Sequence, residues 1–359
     1  MISDHLQVID FNKKLKSWYL KNHRPLLWRQ TTDPYKIWLS EIILQLTRVA
    51  QGTPYYERFL ENYPTVFDLA NADERDVLRL WQGLGYYSRA RNMHYTARQI
   101  VSEFEGKFPE TSLMLSKLKG LGNYTAAAIA SFAFNEPVAA IDGNVYRVMS
   151  RIFGIKADML SNEGKKEFAK VAETLISQDD PATYNQAMIE FGALQCVPVS
   201  PNCSICPFND ICYAYAFSMQ NELPVKAKKL KARNRFLNYF IIEQGGKLAM
   251  KERSTKDIWK GLYDFFLIES TGQIDSPEDL DDNAMLLALL TKGTIRQVPK
   301  LYIHLLTHQK LHVQFWWVTL PENEPVDLPA DIYFFSKNDV ETLPKPILID
   351  TVLKEENFL

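Results

Sequence analysis

Apolar side chains recur at helical spacing through most of the first 220 residues. The stretch WLSEIILQLTRV at 38–49 places Trp38, Ile42, Leu46 and Val49 three or four residues apart, which predicts an amphipathic helix over 34–50. The same spacing, interrupted by short Gly or Pro turns, predicts further helices over 6–20, 54–62, 65–71, 74–81, 86–105, 111–117, 124–134, 142–153, 163–178 and 183–195. This region is therefore predicted to be almost wholly α-helical.

The pattern changes after the segment NELPVKAKKLKARNR at 221–235, whose six basic residues and single proline predict an exposed linker. The segment FLNYFIIEQGGKLAMKER that follows predicts a strand, a Gly-Gly turn and a second strand. LHVQFWWVTL at 311–320 predicts another strand, and PEDLDDNAMLLALLTKG contains a predicted helix. Residues 236–359 are therefore predicted to form a smaller α+β domain.

Length and composition set broad limits. A chain of 359 residues with 46% hydrophobic and 23% charged residues is typical of a globular protein with two or three domains. The net charge of −2 excludes a uniformly basic nucleic-acid binder but leaves room for a local basic face. The sequence has neither the apolar core of a signal peptide nor an apolar run of membrane-span length. We therefore expect a cytoplasmic protein with no membrane partner.

All four cysteines lie in one short segment, CVPVSPNCSICPFNDIC, at positions Cys196, Cys203, Cys206 and Cys212. Disulfides are rare in cytosolic proteins, whereas four thiolates from one loop can converge on a single metal centre. The C-x6-C-x2-C-x5-C spacing therefore predicts either a zinc site or an iron–sulfur cluster, and spacing alone does not distinguish them.

Three further features have both an ordinary and a functional interpretation. Gly120 and Gly122 precede an Ala-rich helix and would let the backbone turn and direct N–H groups at a DNA phosphate, or simply connect two helices. Asp142 and Asn144 open the next helix, where Asp142 is either an N-cap or a functional carboxylate. Glu41 lies among apolar residues of the helix predicted over 34–50, where an exposed helix face is the simpler explanation.

Taken together and in this order, these features resemble the helix-hairpin-helix DNA glycosylases that carry a [4Fe–4S] cluster. Within that endonuclease III superfamily, the stretches DPYKIWLSEIILQLTRV, LWQGLGYYSRARN, GKFPET, DGNVYRV and NQAMIEFGALQC are similar to motifs of the adenine DNA glycosylase family. The resemblance is dense over 20–215 and weaker beyond.

The resemblance also implies a division of the chain. The catalytic region would span 1–220, with a six-helix module at about 30–140 and a cluster-bearing module formed by the N-terminus and 141–220. The basic linker 221–235 would lead to a Nudix-like lesion-recognition domain at 236–359, in which no sequence resembles the Nudix hydrolase box.

The same resemblance implies an active site for hydrolysis of the N-glycosidic bond of adenine. Glu41 would be the acid that protonates the departing base, and Asp142 would stabilise positive charge on the deoxyribose. Asn144 and Tyr124 would orient the site, while Trp28, Arg29 and Gln186 would line the pocket for the extruded adenine. Tyr124 occupies the position where the bifunctional relatives have a Schiff-base lysine, which implies a monofunctional enzyme.

Residues that contact DNA are also implied by the resemblance. Tyr86 matches the side chain that enters the base stack beside the mismatch, whereas Tyr87 is expected to be buried. Leu46 replaces a usual glutamine, so it would be either an apolar wedge or part of the buried stripe. The DNA-contacting set is completed by Gln45, Thr47, Gly120 and Gly122 and, in the second domain, by Thr307 and His308, where many members have Phe-Ser-His.

We therefore expect a monomeric bacterial base-excision repair enzyme at the nucleoid. By base flipping, it would remove adenine mispaired with 8-oxoguanine or guanine from duplex DNA. The two alternatives are an endonuclease III-like glycosylase/lyase for oxidised pyrimidines and a non-catalytic lesion-binding protein. The absent lysine and the additional domain oppose the first alternative, and the pair of Glu41 and Asp142 opposes the second.

Overall fold

A computed structural model of the chain describes residues 5–225, 232–254, 257–280 and 283–359. The described residues form two compact units, each treated separately below. The first contains the residues before Ala72 and those from Asn92 to the linker, and the second contains Ala72–Arg91 and the residues after the linker. Six of the fifteen residues of the predicted linker, 226–231, lie outside the described residues.

The first unit is α-helical, as predicted. None of the described helices of the chain has the length and apolar character needed to cross a membrane. The helices before the linker are α1 (His5–Asn22), α2 (Pro34–Leu44), α3 (Val49–Asn62), α4 (Val66–Asn71), α5 (Glu74–Leu80), α6 (Ser88–Phe104), α7 (Ser112–Leu115), α8 (Asn123–Phe134), α9 (Gly143–Phe153), α10 (Asn162–Leu175), α11 (Pro181–Leu194) and α12 (Tyr213–Ala216), with a 3-10 turn at Leu27–Arg29. Of these, α5 and the start of α6 lie in the Ala72–Arg91 segment of the second unit.

The helix predicted over 34–50 ends earlier, at Leu44. Leu46 has a left-handed backbone (φ 59°) and is 80% exposed, so the prediction of one continuous buried stripe through Leu46 was wrong. The reason lies in the packing of α3 against α2. A Cβ on Gly52 would lie 2.8 Å from Leu44 Cδ2, so α3 returns very close to the end of α2. The chain must therefore turn sharply between the two helices.

The core of the first unit includes a cluster between α1, α9, α10 and α11. Phe11 stacks on Phe208 at 4.6 Å between ring centroids, and Phe191 meets Phe208 edge-on at 5.2 Å. Helix α8 is rich in alanine, and most of its side chains are buried. Because small side chains allow helices to approach closely, α8 can pack against both α2 and α11. These contacts bring together three helices that carry candidate site residues.

The second unit contains an eight-stranded sheet. Its central strand order is β3-β2-β1-β7-β5, with β4 on β1, β6 on β7 and β8 on β2. Strands β1 and β7 are parallel and all other pairs are antiparallel. The strands are β1 (Arg233–Gln244), β2 (Lys247–Glu252), β3 (Tyr263–Asp264), β4 (Phe266–Ser270), β5 (Thr294–Gln297), β6 (Tyr302–Leu305), β7 (Gln309–Leu320) and β8 (Tyr333–Phe335).

Predictions for this α+β region are confirmed. The β1–β2 turn contains Gly245 (φ 54°) and Gly246 (φ 71°), which is the left-handed conformation that a tight hairpin requires. The sheet has apolar clusters on both faces. The accompanying helices are α13 (Ala284–Lys292), α14 (Lys337–Thr342), α15 (Ile347–Glu355) and a 3-10 turn at Pro277–Asp279.

The segment Ala72–Arg91 packs with this second unit, although the sequence places it between helices of the first. Gln82 accepts a hydrogen bond from the Lys345 backbone at 3.4 Å, and the Tyr87 hydroxyl donates to the Lys345 carbonyl at 3.5 Å. Tyr87 is 6% exposed, which confirms that it is a buried tyrosine. No periodicity in the sequence indicates that this segment belongs to the second unit.

Candidate active site

Glu41 lies on α2, which begins at Asp33 as N-cap and Pro34 as first helical residue. Its neighbours Ser40 and Ile42 are buried, and Glu41 itself is half-buried. Helix α8 packs against α2, and the Tyr124 hydroxyl hydrogen-bonds to the Glu41 carboxyl group. The interpretation of Glu41 as part of an exposed helix face is therefore wrong.

This environment changes the proton affinity of Glu41. Its pKa is raised to about 7, mainly by burial and in part by the nearby Asp142 carboxylate, whereas the Tyr124 hydrogen bond and the Arg29 charge oppose the increase. A carboxyl group with this pKa is substantially protonated at neutral pH. It can therefore donate a proton under conditions in which an exposed glutamate cannot.

Asp142 has a different environment at the start of α9. Its Oδ1 accepts from the backbone N–H groups of Asn144 (2.9 Å) and Val145 (2.8 Å), and its Oδ2 accepts from the Asn144 amide at 2.7 Å. Burial raises the pKa of Asp142, and these three donors oppose the increase by favouring the ionised form. The predicted N-cap is present, and it coexists with electrostatic coupling to Glu41.

Asn144 is itself held by close helix packing. Arg147 Nη2 donates to Asn144 Oδ1 at 2.8 Å and to the Gly192 carbonyl at 2.7 Å. A Cβ on Gly192 would lie 2.6 Å from the Asn144 Cβ, so α9 and α11 meet where only glycine fits. The orientation of the Asn144 amide toward Asp142 is thus determined by two helices rather than by one.

Of the three residues predicted to line the adenine pocket, Arg29 contacts a buried carboxylate, and Trp28 and Gln186 contact buried tyrosines. Arg29 Nη2 donates to Glu190 Oε2 at 2.7 Å, and the Gln186 side chain accepts from the Tyr19 hydroxyl at 2.7 Å. Trp28 is 8% exposed and packs edge-on against Tyr56. The contact with Glu190 brings Arg29 to α11, on which Gln186 and Glu190 lie one helical turn apart.

Glu190 is fully buried and was not predicted. Arg24 reaches both of its oxygens, with Nε at 2.9 Å from Oε1 and Nη2 at 2.6 Å from Oε2. Burial alone would raise the pKa of Glu190, but the hydrogen bonds from Arg24 and Arg29 lower it to about 2. One signal was available in the sequence: Glu190 is a single carboxylate in an apolar helix, as Glu41 is.

The glycine hairpin agrees only in part with the prediction. Gly120 has a φ of 83°, and a Cβ there would meet Asn92 at 2.8 Å, so glycine is required. Gly122 has an ordinary φ of −77° and caps α8, with open space where a Cβ would lie. The explanation of Gly122 as a turn-forming glycine was therefore wrong.

Two further predicted DNA-contacting residues lie between α2 and α3. Gln45 Nε2 donates to Thr125 Oγ1 at 3.2 Å, and Thr47 Oγ1 donates to the Gln45 carbonyl at 3.4 Å.

The four cysteines line one pocket, and none is in a disulfide. Arg151 Nη1 lies 3.5 Å from Cys196 Sγ, and Arg147 Nε donates to the Cys196 carbonyl at 2.8 Å. In the described chain, no three metal-ligating side chains surround a single ion position. A [4Fe–4S] cluster binds each cysteine through a different iron atom, so its thiolates need not converge on one point. Four thiols with adjacent arginine charge therefore suit a polynuclear, anionic group.

In the second unit, the predicted DNA-contacting residues meet each other. Tyr86 is 47% exposed and has a left-handed backbone (φ 47°), which is uncommon for a bulky residue. Its hydroxyl hydrogen-bonds to Thr307 Oγ1. Thr307 and His308 are exposed in the turn between β6 and β7, which we call the 306–308 loop.

Three family models match the chain. HhH-GPD superfamily base excision DNA repair protein matches residues 39–177, the iron-sulfur binding domain of endonuclease III matches 196–212, and the NUDIX domain matches 238–355. The iron–sulfur match resolves the choice between zinc and iron that the cysteine spacing left open, and it confirms a [4Fe–4S] cluster as the cofactor. Together with the helical first unit, these matches define a helix-hairpin-helix base-excision DNA glycosylase.

An adenine DNA glycosylase of Buchnera aphidicola subsp. Baizongia pistaciae is 32% identical over 355 residues, which cover 97% of this chain and 97% of that protein. The chain belongs to the adenine DNA glycosylase family. An adenine DNA glycosylase of Arabidopsis thaliana is 34% identical over 73% of the chain, which spans about half (48%) of that longer protein. The solved structure of a thermostable thymine-DNA glycosylase is 27% identical, with a TM-score of 0.55, over 58% of this chain and 97% of that one.

The cluster has a direct analytical consequence. The purified protein should be brown, with broad visible absorbance and about four iron atoms per chain. Cys203→Ser should lose iron, because one thiolate ligand is removed, whereas Ser204→Ala in the same loop should retain it. Elemental analysis and the visible spectrum measure both. One zinc and no iron in the wild-type protein would contradict the cluster.

Proposed function

We propose that this chain excises adenine mispaired with 8-oxoguanine or guanine from duplex DNA. It acts as a monomer on nucleoid DNA and hydrolyses the N-glycosidic bond without cutting the strand. The observation that carries the proposal is the pair of Glu41 and Asp142. The first carboxyl has a pKa raised to about 7, and the second accepts three N–H hydrogen bonds. Such a pair divides the roles of acid and anion.

Glu41 supplies the proton that adenine needs to leave. When the N-glycosidic bond breaks, its electron pair stays with the base, which is a poor anionic leaving group unless a ring nitrogen is protonated. Glu41 donates that proton to the ring, and the Tyr124 hydroxyl keeps the carboxyl group in place.

Asp142 stabilises the sugar that remains. Loss of the base leaves positive charge on the deoxyribose, and the ionised Asp142 carboxylate offsets that charge until water adds its oxygen to C1′ and releases a proton. Asn144 and the cap hydrogen bonds favour the ionised form of the carboxylate. The products are free adenine and an intact strand with an abasic site.

The pocket for the extruded adenine is built from Trp28, Arg29 and Gln186, with Glu190 as a positioning residue. The indole provides an apolar surface, while Arg29 and Gln186 provide hydrogen-bonding groups for the base edge. Arg29 is fixed because Glu190 binds it at 2.7 Å. Burial of Glu190 as a carboxylate is stabilised by two arginines, so its function is to hold those arginines.

The remaining residues bind DNA around the target. Gly120 and Gly122 precede the N-terminus of α8, where backbone N–H groups can bind a phosphate. Leu46 is presented to solvent by its left-handed backbone, as an apolar side chain that enters a base stack must be. Tyr86 serves the same purpose from the second unit. Four cysteines, Cys196, Cys203, Cys206 and Cys212, hold the cluster, which organises a DNA-binding loop.

A single duplex with adenine opposite 8-oxoguanine tests the proposal. The full-length protein should release adenine, and the strand should break only after hot alkali, because Tyr124 is a phenol and cannot form an imine. Strand cleavage without alkali would instead support a glycosylase/lyase such as endonuclease III. Tight binding without adenine release would support the non-catalytic alternative.

The 306–308 loop should provide the preference for 8-oxoguanine. Thr307 offers a hydroxyl and His308 an imidazole, and a specific base contact is worth about 1–3 kcal/mol. Changing both to alanine should therefore lower the ratio of single-turnover rates, A opposite 8-oxoguanine over A opposite G, by about tenfold or more. The two rates are measured at one fixed salt concentration, because DNA affinity depends on salt. An unchanged ratio would exclude this loop from lesion recognition.

A further inference from the structure

A chain of paired charges adjoins the 306–308 loop in the second unit. Arg235 on β1 donates to both oxygens of Asp257, each at 3.0 Å. It also donates to both oxygens of Glu269, at 2.9 and 2.8 Å. The Arg235 side chain is only 10% exposed. One guanidinium is thus held in a fixed orientation by two bidentate carboxylates.

The network of paired charges continues into the core of the unit. Asp257 also accepts from Arg253 at 3.1 Å, and Arg253 donates to Asp264 at 2.6 Å. Asp264 is fully buried and accepts from the Tyr239 hydroxyl at 3.0 Å. One end of the network is therefore anchored in the central strand of the sheet, where side chains cannot move independently of the core.

The other end of the network reaches the loop. Arg235 Nη1 donates to Gln309 Oε1 at 3.1 Å, and Gln309 is the first residue of β7, directly after His308. The loop backbone is closed by a hydrogen bond from Leu306 N to the Gln309 carbonyl at 2.8 Å. Arg233 N donates to the His308 carbonyl at 2.9 Å. Side-chain and backbone contacts therefore hold the same end of the loop.

The strand that enters the loop is held from the same network. Arg253 Nε donates to the Ile258 carbonyl at 3.0 Å, which fixes the backbone just before Trp259. The Trp259 ring meets the His304 ring on β6 edge-on, at 5.8 Å between centroids. Gln309, which follows the 306–308 loop, is thus held by Arg235. His304, which precedes the loop, contacts Trp259, and Arg253 fixes the backbone before Trp259.

Charge pairs of this kind contribute little net stability. Removing charged groups from water costs free energy that offsets most of their mutual attraction. Their hydrogen bonds are nevertheless directional, so they determine the orientation of what they contact. A network that ends on Gln309 is therefore better suited to positioning the loop than to stabilising the fold.

We propose that Arg235 and Gln309 are positioning residues for recognition of the base opposite the target adenine. They hold the 306–308 loop in the conformation that presents Thr307 and His308. This inference rests on the function proposed above for that loop. It adds two specificity-determining residues that are not themselves expected to touch the DNA.

The test uses full-length Gln309→Ala. Arg235 keeps both carboxylates in this variant, so no buried charge loses its partner. The preference for A opposite 8-oxoguanine over A opposite G should fall about five- to tenfold, the effect of one typical hydrogen bond, with Tm changed by less than about 2 °C. Gln309→Glu retains an acceptor oxygen and should restore the preference. Arg296→Ala is the matched control. It breaks the charge pair between Arg296 on β5 and Glu356, which are 2.7 Å apart, and it should leave the preference unchanged.

Thr307→Ala/His308→Ala is measured beside these variants. If that double variant lowers the preference and Gln309→Ala does not, the positioning role is wrong and the loop function stands. If neither changes it, the loop function fails and the positioning role fails with it. If Gln309→Ala lowers both rates equally together with Tm, the contact is structural only and the proposal is also overturned.

Discussion

Glu41→Gln should lower the single-turnover rate of adenine excision by about 10²–10⁴-fold, the usual contribution of a general acid. The amide has the same size, can still accept from the Tyr124 hydroxyl, and leaves α2 unchanged, but it has no proton to donate. Binding to the mismatched duplex should therefore persist while chemistry is lost. Glu57→Gln, at an exposed position on α3, is the matched control and should retain the wild-type rate.

The pH dependence of the wild-type rate provides a second measurement of the same group. Because the pKa of Glu41 is raised to about 7 and the protonated form is active, the rate should fall as pH increases through that value. The residual rate of Glu41→Gln should not show this fall. If Glu41→Gln excised adenine at more than a tenth of the wild-type rate, the activation free energy would have risen by less than about 1.4 kcal/mol. That result would exclude Glu41 as the acid.

Asp142→Asn should reduce the rate by about 10²–10³-fold, as expected for loss of one electrostatic contact to developing charge. Asparagine is as good an N-cap as aspartate, and its side-chain oxygen can still accept from Asn144 N and Val145 N. The change therefore removes the negative charge and preserves the cap. Thermal unfolding and single-turnover kinetics on the same sample separate the two contributions.

Asp73→Asn provides the comparison, because Asp73 caps α5 through Arg75 N at 2.8 Å and has no proposed role in catalysis. It should change neither the rate nor Tm appreciably. If Asp142→Asn also retained the wild-type rate, Asp142 would be a cap alone. Asp142→Ala, which loses both functions, should in addition reduce stability by about 1 kcal/mol.

The helices and strands were largely predictable because apolar spacing reflects burial directly. The exceptions have particular causes. Leu46 continued the spacing of α2, but a left-handed residue without a Gly or Pro signal ends the helix, because Gly52 brings α3 against Leu44. Turns dictated by contacts between helices, rather than by local residue preference, are not visible in one sequence.

The candidate site was proposed from its motifs, whereas the contacts that support its residues could not be predicted from the sequence. Glu190 belongs to a helix that otherwise reads as apolar, and only the fold brings Arg24 and Arg29 to it. Likewise, Gln309 had no distinguishing sequence feature. Its contact with Arg235 depends on the parallel pairing of β1 with β7, which joins residues more than seventy positions apart.

The second unit is discontinuous in sequence, and this determines which segments must be exchanged together in a chimera with a homologue. Tyr86 comes from Ala72–Arg91, whereas its partner Thr307 comes from the C-terminal part of the chain. A chimera that exchanges only 229–359 with a homologue would keep the native Tyr86 and replace the loop it contacts. A chimera that exchanges the whole second unit must therefore exchange both segments, 72–91 and 229–359, together.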